Sequence, residues 1–398
     1  MHLRILGCRG IPARHGGFET FAHDLARFLV ARGHEVTVYC QIGPDREASE
    51  DEWQGIRRVN IPAANNPLGT MQFDWNSVRH ASRQPGVVLT LGYNTAIFGL
   101  LYRLRGVPNV INMDGIEWKR AKWSRPQRLW LWGNEWAGAR LADHLVADHP
   151  QIAAHLERHT PPEKITMIPY GAETVNAASV VPLERFGLRS KQYYILIARP
   201  EPENMVLEIV QGHAASGIST PLVILGDYNS QANQYCQAVQ RAAGPNIHFL
   251  GAIYDREVVA ALRFHARAYL HGHQVGGTNP SLVEALAAGN AIIAHDNRFS
   301  RWVAQDAALY FDRPEELKEI FRSLEDAPQK RVELERNSRK RHRDGFTQEK
   351  VLSAYEALLQ QHESEATRVC TQHLPTVPPD FGSRKIPSEP TKIKMERS

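Results

Sequence analysis

The stretch Gly276-Gly277-Thr278-Asn279-Pro280-Ser281-Leu282-Val283-Glu284-Ala285 decides the predicted fold of this chain. Ahead of it, Ala268-Tyr269-Leu270 is typical of a buried strand. Behind it, good helix formers continue to Gly289, a residue that favours a helix end. Asn279 is a favourable helix cap, and Pro280 suits the first helical position because its missing N–H has no partner there. The pattern predicts a strand, a glycine loop and a helix.

Glycines followed by a helix start favour an anionic ligand. Gly276 and Gly277 allow a ligand to approach the backbone closely, and the N–H groups of the first helical turn point at whatever binds there. A diphosphate is the expected ligand, and Glu284 lies one turn further along, where it can accept hydrogen bonds from sugar or ribose hydroxyls. The alternative is an ordinary strand-to-helix turn with a surface glutamate, because glycine loops are common.

Length and composition predict a soluble enzyme of two domains. The chain has 398 residues, 42% apolar and 23% charged, which is too long for one core and typical of globular proteins. Its net charge of +4 is too small to indicate a nucleic-acid partner. The N-terminal segment is too short for a signal peptide, and no apolar run approaches the roughly 20 residues that span a bilayer. A cytoplasmic location is therefore expected.

The cysteines give no sign of a disulfide framework or a metal site. Cys8, Cys40, Cys236 and Cys370 are scattered, without a CxxC pair or an adjoining group of histidines. Neither a metal nor a cofactor is expected.

Strand and helix patterns alternate in both halves of the chain. In the first half, a buried-strand pattern at 3–8, helical spacing at 18–29 and a second strand at 35–40 form a βαβ unit, which implies a parallel sheet. The Gly16-Gly17 loop falls beyond a strand end, where ligands collect in such sheets, although a tight turn that needs a positive φ is the alternative. Residues 173–182 lose the hydrophobic pattern, and a second alternation follows.

These repeats predict an α/β fold with two Rossmann-like domains facing each other across a cleft. We expect an N-terminal domain over 1–172, a C-terminal domain over 173–345 and a final amphipathic helix over 346–365. Residues 366–398 are rich in Thr, Pro, Ser and Lys, so they are expected to form a disordered tail.

Polar residues at the predicted strand ends suit a polyhydroxylated ligand. They are Tyr93, Asn94, Asp114 and Glu117. Asp114 is a candidate functional carboxylate, with a buried and purely structural role as the alternative. Arg199, at a strand end in the second half, is the best candidate for a phosphate clamp, because guanidinium groups match phosphate oxygens. Its alternative is a surface salt bridge with Glu201 or Glu203.

Residues 117–136 interleave tryptophans with lysines and arginines. This mixture suits a membrane interface or an aromatic platform for a sugar. The alternative is that some of these tryptophans, Trp130 or Trp136 among them, belong to the core of an ordinary helix.

Over about residues 1–362 the chain resembles the GT-B glycosyltransferases of the large retaining family 4, and more narrowly their bacterial rhamnosyltransferase-like branch. Four matches in the right order carry the resemblance: Arg9–Phe21, Asn112–Lys119, Ala198–Asn204 and His271–Ala285. The resemblance implies a nucleotide-sugar donor in the C-terminal domain, an acceptor in the N-terminal domain, metal-independent transfer with retention, and a last helix that crosses back to the first domain.

The resemblance also implies roles for individual residues. The catalytic candidates are Arg199, Asp114 and Glu284, with Arg199 stabilising the leaving diphosphate and Glu284 holding the ribose. The donor-binding candidates are Gly16, Gly17, Arg199, Asn204, Gly276, Gly277, Thr278, Asn279, Ser281 and Glu284. The acceptor-binding candidates are His15, Tyr93, Asn94, Asp114, Glu117 and Trp118.

Three positions depart from the pattern of the broader family. Gly276 stands where that family has the first of two glutamates, Asn204 where it has a lysine beside the diphosphate, and Met113 where a histidine is common. These departures suggest an altered donor site, with His271 and His273 near enough to take a polar role.

The resulting prediction is an enzyme that transfers a hexose or deoxyhexose, with rhamnose favoured, in bacterial surface polysaccharide synthesis. The expected partners are a nucleotide-diphosphate sugar, with dTDP favoured, and a glycan or lipid-linked acceptor. A peripheral contact with the inner face of the cytoplasmic membrane is a further expectation. The alternatives are a nucleotide-sugar epimerase or phosphorylase of the same fold, and a non-catalytic subunit of a polysaccharide-assembly complex.

Overall fold

The computed structural model describes residues 1–13, 16–120, 122–229 and 233–372, with side chains described through residue 364. It contains two α/β units, each built on a parallel sheet, so the predicted Rossmann-like fold class is confirmed. The predicted site residue His15 and the tail residues 373–398 lie outside the described residues.

The first unit has an eight-stranded sheet in the order β3-β4-β2-β1-β5-β6-β7-β8. Its strands are β1 His2–Leu6, β2 Glu35–Ile42, β3 Ser49–Trp53, β4 Ile56–Pro62, β5 Val87–Leu91, β6 Asn109–Asn112, β7 His144–Ala147 and β8 Ile165–Met167. Its helices are α1 Gly17–Ala31, α2 Pro67–Ala81, α3 Leu100–Arg105, α4 Arg125–Leu141 and α5 Pro150–Leu156. The strands are parallel except β3, which pairs antiparallel with β4 at the sheet edge.

The second unit has a six-stranded parallel sheet in the order β11-β10-β9-β12-β13-β14. Its strands are β9 Tyr194–Ile197, β10 Leu222–Leu225, β11 Ile247–Gly251, β12 Ala268–His271, β13 Ala291–His295 and β14 Ala308–Phe311. Its helices, with the final one, are α6 Val181–Glu184, α7 Val206–Ser216, α8 Gln234–Ala242, α9 Arg256–Phe264, α10 Pro280–Ala287, α11 Arg298–Ala304, α12 Pro314–Asp326, α13 Pro328–Gly345 and α14 Gln348–Gln372.

Short apolar strands lie at the centre of each sheet, and helices cover both faces. In the second unit, β9, β12 and β13 are almost wholly buried, as expected for parallel strands packed on two sides. Successive residues of these strands, such as Ile195 and Leu196, enter separate core clusters on opposite faces of the sheet. This period of two fixes which strand residues point into each helical layer.

The last helix belongs to the core of the first unit, although it follows the second unit in sequence. Val351, Tyr355 and Leu359 of α14 are buried in the same cluster as Leu3 and Leu25. The Tyr355 hydroxyl also accepts a hydrogen bond of 2.8 Å from the Asn112 amide at the end of β6. The chain therefore crosses between the two units twice.

The two crossings lie side by side and are hydrogen-bonded to each other. The Ala172 N–H donates to the Phe346 carbonyl at 3.0 Å, and the Gln348 N–H donates to the Ala172 carbonyl at 3.0 Å. Ala172 and Thr347 form an isolated parallel bridge. The His342 ring adds a third contact, 2.9 Å from the Ala172 carbonyl.

The final helix runs further than expected. It continues to Gln372, past the point at which the tail was predicted to begin. Residues 366–372 contain neither glycine nor proline, and the next proline is Pro375, so nothing in this stretch opposes helical backbone. Among the described residues, no helix combines the length and the apolar character needed to cross a membrane.

Each sheet has a point at which the strand order reverses. In the second unit it lies between β9 and β12, which are paired. In the first unit it lies between β1 and β5. In open α/β sheets, ligands bind beyond the carboxyl ends of the strands at such switch points. The loops after β9 and β12 contain Arg199 and the Gly276-Gly277 pair, while those after β1 and β5 contain Gly16 and Tyr93.

Candidate active site at the domain interface

The two loops predicted to hold the donor pack against each other. The Gln274 N–H, after β12, donates to the Glu203 carbonyl, after β9, at 2.9 Å. A methyl group built on Gly272 would overlap the Asn204 carbonyl oxygen, so only glycine permits this approach. Arg199 and the glycine loop therefore occupy one edge of the second sheet.

Arg199 is the exposed cation of this edge. Its side chain is 68% exposed, and its Nη1 lies 3.4 Å from Glu201 Oε1. The predicted salt bridge thus exists, but an ion pair this exposed is weak and leaves the guanidinium available to a ligand. The pKa of the neighbouring His273 is lowered to about 4 by burial and then by the charges of Arg199 and Arg120. His273 is therefore neutral at physiological pH.

The start of α10 is formed as the sequence predicted. Asn279 Oδ1 caps it by accepting the Ser281 N–H at 3.0 Å, and Pro280 occupies the first helical position. Gly276 has a φ of 130°, a conformation that favours glycine. The helix start and its loop thus present backbone to the domain interface, with few side chains in the way.

An aspartate of the first unit occupies part of this helix start. Asp148, which follows β7, accepts the Thr278 N–H through Oδ2 at 3.0 Å, and the Thr278 hydroxyl donates to the Asp148 carbonyl. A methyl group built on Gly277 would overlap Asp148 Oδ1. Thr278, a predicted donor contact, is therefore engaged by the protein itself, which the sequence did not indicate.

The surroundings of the Asp148 carboxyl group disfavour its ionised form. It is only 2% exposed, and no described residue gives Oδ1 a hydrogen bond. Burial, followed by the nearby Asp114, raises its pKa well above the usual value. Its Oδ2 atom therefore occupies an acceptor position at the helix start, where backbone N–H groups are available to a ligand.

Asp114 lies on the loop that faces the glycines. Its φ is 51°, and its backbone N–H donates to Asn112 Oδ1 at 2.9 Å. Burial, with a smaller contribution from Glu117, raises the pKa of Asp114 to about 6. A methyl group built on the next residue, Gly115, would lie 3.5 Å from the Gly276 Cα. The acceptor-side candidate Asp114 is therefore beside the donor-side glycine loop.

Arg120 bridges the two units and was missed by sequence reasoning. Its Nη1 donates to Glu117 at 2.9 Å, its Nε donates to Glu203 at 3.0 Å, and its Nη2 lies 3.3 Å from Glu201. Glu201 also pairs with Arg199, so both arginines meet on one carboxylate. Glu201 and Glu203 are 81 and 83 residues away from Arg120 in sequence, and no local pattern predicts these two contacts.

The predicted acceptor residues Tyr93 and Glu117 support this loop. The buried Tyr93 hydroxyl accepts the Glu117 N–H at 2.8 Å. Burial alone would raise the pKa of Glu117, but the hydrogen bond and charge of Arg120 lower it below its usual value. Glu117 is consequently a permanent carboxylate that positions Arg120.

A cavity of about 160 Å³ lies at the switch point of the first sheet. Asn94, a predicted acceptor contact, lines it, together with Arg9, Glu19 and Asp74. Burial raises the pKa of Asp74 to about 6, and the Thr95 hydroxyl donates to its Oδ2 at 2.9 Å. Asp74 lies inside a helix and was not predicted from sequence.

The glycines beside this cavity occupy the start of α1. Gly16 precedes the helix with a φ of 99°, and a methyl group there would overlap the Glu19 carboxylate. Glu19 in turn accepts the Arg9 N–H at 3.0 Å. A methyl group on Gly17 would meet no heavy atom of the described residues within 4 Å, which leaves its backbone open on the side that they form.

The Glu284 carboxylate forms a side-chain network with α9 and β12. Glu284 lies 2.6 Å from the buried Arg263, which is also 3.4 Å from the Ser281 hydroxyl. The Ser281 hydroxyl accepts a hydrogen bond of 2.8 Å from Tyr269. Glu284 keeps 44% of its side chain exposed, so it is fixed by Arg263 and still reachable by a ligand.

Two predicted contacts serve the protein's own structure. Asn204 is 3% exposed, and its amide donates to the Arg199 carbonyl at 2.9 Å, which holds the loop in shape. Trp118 donates its indole N–H to Glu135 at 3.0 Å, inside the first unit. Trp130, considered for the core, is 41% exposed and donates its indole N–H to the Asn94 carbonyl at 2.9 Å.

Among the described residues, one group has the composition of a metal site. Glu135, His155 and His159 each offer a ligand atom, and these atoms lie within 4.8 Å of one another. The group lies next to Trp118, whose indole N–H donates to Glu135. The four-residue spacing of the two histidines was visible in the sequence, but Glu135 comes twenty residues before His155, so the set could not be assembled from local spacing.

Two family models match the chain, one for each unit. Residues 16–171 match a glycosyl transferase 4-like domain, and residues 191–341 match the glycosyl transferases group 1 domain. Among curated protein sequences, none matches the chain.

Solved structures with the same fold cover nearly the whole chain. Sucrose-phosphate synthase from Thermosynechococcus elongatus has a TM-score of 0.73 at 17% identity, covering 91% of this chain and 99% of its own. Anabaena HepE in complex with UDP has a TM-score of 0.70 at 12% identity, covering 91% and 100%. WaaG, a glycosyltransferase involved in lipopolysaccharide biosynthesis, has a TM-score of 0.67 at 15% identity, covering 90% and 99%.

Proposed function

We propose that this chain, which is a glycosyltransferase of the GT-B type, transfers a hexose or deoxyhexose from a nucleoside-diphosphate sugar to a glycan or lipid-linked acceptor, with retention and without a catalytic metal. One observation carries the proposal. The exposed guanidinium of Arg199 and the amide-rich start of α10 share the switch-point edge of the second sheet, opposite the Asp114 loop of the first. That combination suits a leaving diphosphate between two domains.

On the donor side, positive charge and backbone N–H groups stabilise the departing phosphate. As the bond from the sugar C1 to the β-phosphate oxygen breaks, negative charge grows on that oxygen, and preorganised donors there lower the barrier. Arg199 supplies the first cation. Arg120 supplies a second from the other domain, and Glu117, Glu201 and Glu203 hold it in place before the donor binds.

The position of Asp148 gives the donor a competitor. Its carboxyl group accepts the Thr278 N–H at the helix start, which the diphosphate also approaches. The first sheet and α10 are therefore held together by a contact that a donor phosphate replaces. Donor binding thus includes a local separation of Asp148 from Thr278.

On the acceptor side, the cavity lined by Asn94 and Asp74 holds the sugar that receives the transfer. Asp114 contacts the reacting region from the loop between the cavity and the glycines. The acceptor hydroxyl forms its new bond to C1 on the face that the phosphate leaves, and its proton passes to the leaving phosphate oxygen. The leaving phosphate oxygen is assigned this role because it becomes basic as the bond to C1 breaks, and it lies on the same face as the acceptor hydroxyl.

The sequence motifs, and not the fold, point to the sugar and the base of the donor. The rhamnosyltransferase-like motifs favour dTDP-rhamnose, whereas one structural relative was solved with UDP. A thermal-shift screen with dTDP, UDP and GDP, each with and without its sugar, separates these cases because a specific ligand raises the melting temperature. We expect dTDP-rhamnose to give the largest shift.

The same donor is then incubated with lipid-diphosphate glycan acceptors without added Mg²⁺ or Mn²⁺, and the anomeric configuration of the product is read by NMR. A product whose anomeric configuration is the same as that of the donor supports retaining transfer. Conversion of the donor without acceptor would indicate an epimerase instead. Saturable donor binding with no turnover across the acceptor panel would indicate a non-catalytic subunit.

We also propose that the first unit docks on the cytoplasmic face of the membrane. Leu104 and Leu129 are 74% and 67% exposed, and Trp132 is 43% exposed, on α3 and α4. Arg103 and Arg125, on the same helices, are exposed cations that suit anionic lipid.

Sedimentation with phosphatidylglycerol vesicles tests the membrane contact. The double change Leu129→Ser and Trp132→Ser should reduce binding severalfold. Val332→Ser, at an exposed valine of α13, is the matched control and should have no effect. Equal binding by all three proteins, or no binding by the unchanged protein, would contradict the membrane contact.

A further inference from the structure

Glu135, His155 and His159 converge inside the first unit, away from the domain interface. Glu135 lies on α4, His155 lies on α5, and His159 lies just after α5. The Glu135 side chain is 2% exposed, and the two histidine side chains are 9% and 12% exposed. The comparisons and the proposed transfer reaction leave this cluster without a role.

The distances in the cluster match a set of metal ligands that lacks its ion. Glu135 Oε1 lies 2.8 Å from His155 Nε2 and 3.4 Å from His159 Nε2. In a tetrahedral zinc site with bonds of about 2.0–2.1 Å, neighbouring ligand atoms are separated by roughly 3.3 Å. A zinc ion therefore fits between these three atoms with side-chain movements of well under an ångström for the two measured pairs.

His159 provides the observation that an ordinary ion pair does not explain. Both of its ring nitrogens are buried without a hydrogen-bond partner among the described residues, although Nε2 is close to the Glu135 carboxylate. Buried polar nitrogens almost always have a partner, so an unpaired imidazole needs an explanation. A cation coordinated by Nε2 supplies the missing partner.

The second oxygen of Glu135 is already held in the manner of a metal ligand. Glu135 Oε2 accepts the Trp118 indole N–H at 3.0 Å, which fixes the carboxylate orientation. Hydrogen bonds of this kind orient the ligands in known metal sites. The His159 ring also packs on Trp136, with centroids 4.7 Å apart, so both His159 and Glu135 are positioned before any ion binds.

We propose that Glu135, His155 and His159 bind one Zn²⁺ ion, with water as the fourth ligand. Two imidazoles and one carboxylate form a ligand set that zinc favours. The role of the ion is structural, because Trp118 connects the cluster to the loop that contains Asp114, Glu117 and Arg120. The inference does not depend on the proposed transfer reaction, because it concerns binding alone.

The test uses the full chain with any affinity tag removed, stripped of metal and then titrated with Zn²⁺. We expect one zinc per chain by elemental analysis and an increase in melting temperature of roughly 5 °C at saturation. With Co²⁺ in place of zinc, we expect the visible absorption bands of a tetrahedral site.

His159→Ala is the decisive variant, because the His159 ring makes no hydrogen bond to the described residues, and alanine keeps the backbone hydrogen bond to Leu156. It should lose the stoichiometric zinc, the thermal shift and the cobalt bands, while its circular dichroism without metal matches that of the unchanged chain. His248→Ala, at an exposed histidine of β11, is the matched control and should retain all three signals.

Glu135→Gln is a second variant, which keeps an acceptor for Trp118 and removes the charged ligand. It should weaken zinc binding at least tenfold. The inference is overturned if the unchanged chain shows no saturable zinc site, or if His159→Ala binds zinc as tightly as His248→Ala does.

Discussion

The two sides of the domain interface achieve their chemistry by different means. The second unit presents backbone, with two glycines and a helix start that are adjacent in sequence, beside the exposed Arg199 of the neighbouring loop. The first unit presents buried or half-buried charges, such as Asp114, Arg120 and Asp148, which come from separate loops and neutralise or oppose one another. The backbone side is set by geometry and is insensitive to pH, whereas the charged side depends on protonation and on its ion partners.

The largest expected effect is on the backbone side, at the exposed cation Arg199. Arg199→Ala should lower kcat/KM by about 100-fold, or roughly 2.7 kcal/mol, because a preorganised cation at the leaving phosphate is lost. Its stability should be unchanged, since the Glu201 pair is exposed. Steady-state transfer assays measure this, with Arg189→Ala, at an exposed arginine ahead of β9, as the control. A loss of less than about tenfold would remove Arg199 from the diphosphate site.

The charged side should make the stability of the protein depend on pH. The pKa of Asp114 is raised to about 6, so the folded protein binds a proton there between about pH 4 and 6 that the unfolded chain releases. Stability therefore falls as pH rises through this window. Asp114→Asn should remove this penalty and stabilise the protein at pH 7 by about 2 kcal/mol, with little effect at pH 4. Urea unfolding at both pH values measures the difference.

The activity of the same variant separates function from stability. If ionised Asp114 contacts the acceptor, kcat/KM of the unchanged enzyme should fall as pH drops below about 6. Asp114→Asn should be less active, and its kcat/KM should not show this fall. Asparagine tolerates the left-handed backbone at this position, so the loop is preserved. Asp45→Asn, at an exposed loop residue, is the control. A stabilised variant with full activity would show that Asp114 is structural.

A smaller effect is expected from the cation that connects the two sides. Arg120→Met should lower kcat/KM by about tenfold, roughly 1.4 kcal/mol, because it removes a phosphate contact and also frees Glu201 and Glu203. Arg120→Lys keeps the charge and should recover part of the loss. Combining Arg120→Met with Arg199→Ala should be less than additive, since both arginines share Glu201. Strict additivity would place the arginines in independent sites.

The smallest expected effect tests the contact between the two sides directly. A methyl group at Gly277 would overlap Asp148 Oδ1, and Asp148 competes with the donor for the helix start, so Gly277→Ala should displace Asp148 and lower the KM for the donor about fivefold, roughly 1 kcal/mol. Gly133→Ala is the control, because a methyl group there would meet no heavy atom of the described residues within 4 Å. In the presence of Asp148→Ala the alanine should have no further effect. A persistent change in the KM of that double variant would assign the effect to the loop and not to the interface.

The same contrast explains how much could be predicted from the sequence. The β12–α10 unit was predictable because cap, proline and glycines are adjacent, and the structure has each in its expected place. The fold class followed from repeated strand and helix patterns. Edge strand β3, Ser49–Trp53, was missed because it is mostly charged and exposed, so it has no apolar pattern.

The charged side was only partly predictable because its residues contact partners that are distant in sequence. Asp148 contacts Thr278 across 130 positions, and Arg120 contacts Glu203 across 83. Asp114 was recognised at a strand end, but its raised pKa depends on burial by the assembled domains. Trp118 was expected to face an acceptor, yet its indole N–H is satisfied by Glu135, a pairing that sequence spacing does not reveal.

The paired crossings at Ala172 and Thr347 restrict how this molecule moves. Two separate connections would let one unit slide and tilt relative to the other, but here hydrogen bonds join the two connecting segments side by side. Such a hydrogen-bonded pair resists sliding, so we expect the two units to separate by a rotation about Ala172 and Thr347. That rotation would move Gly115 away from Gly276, and closing would restore the same contact.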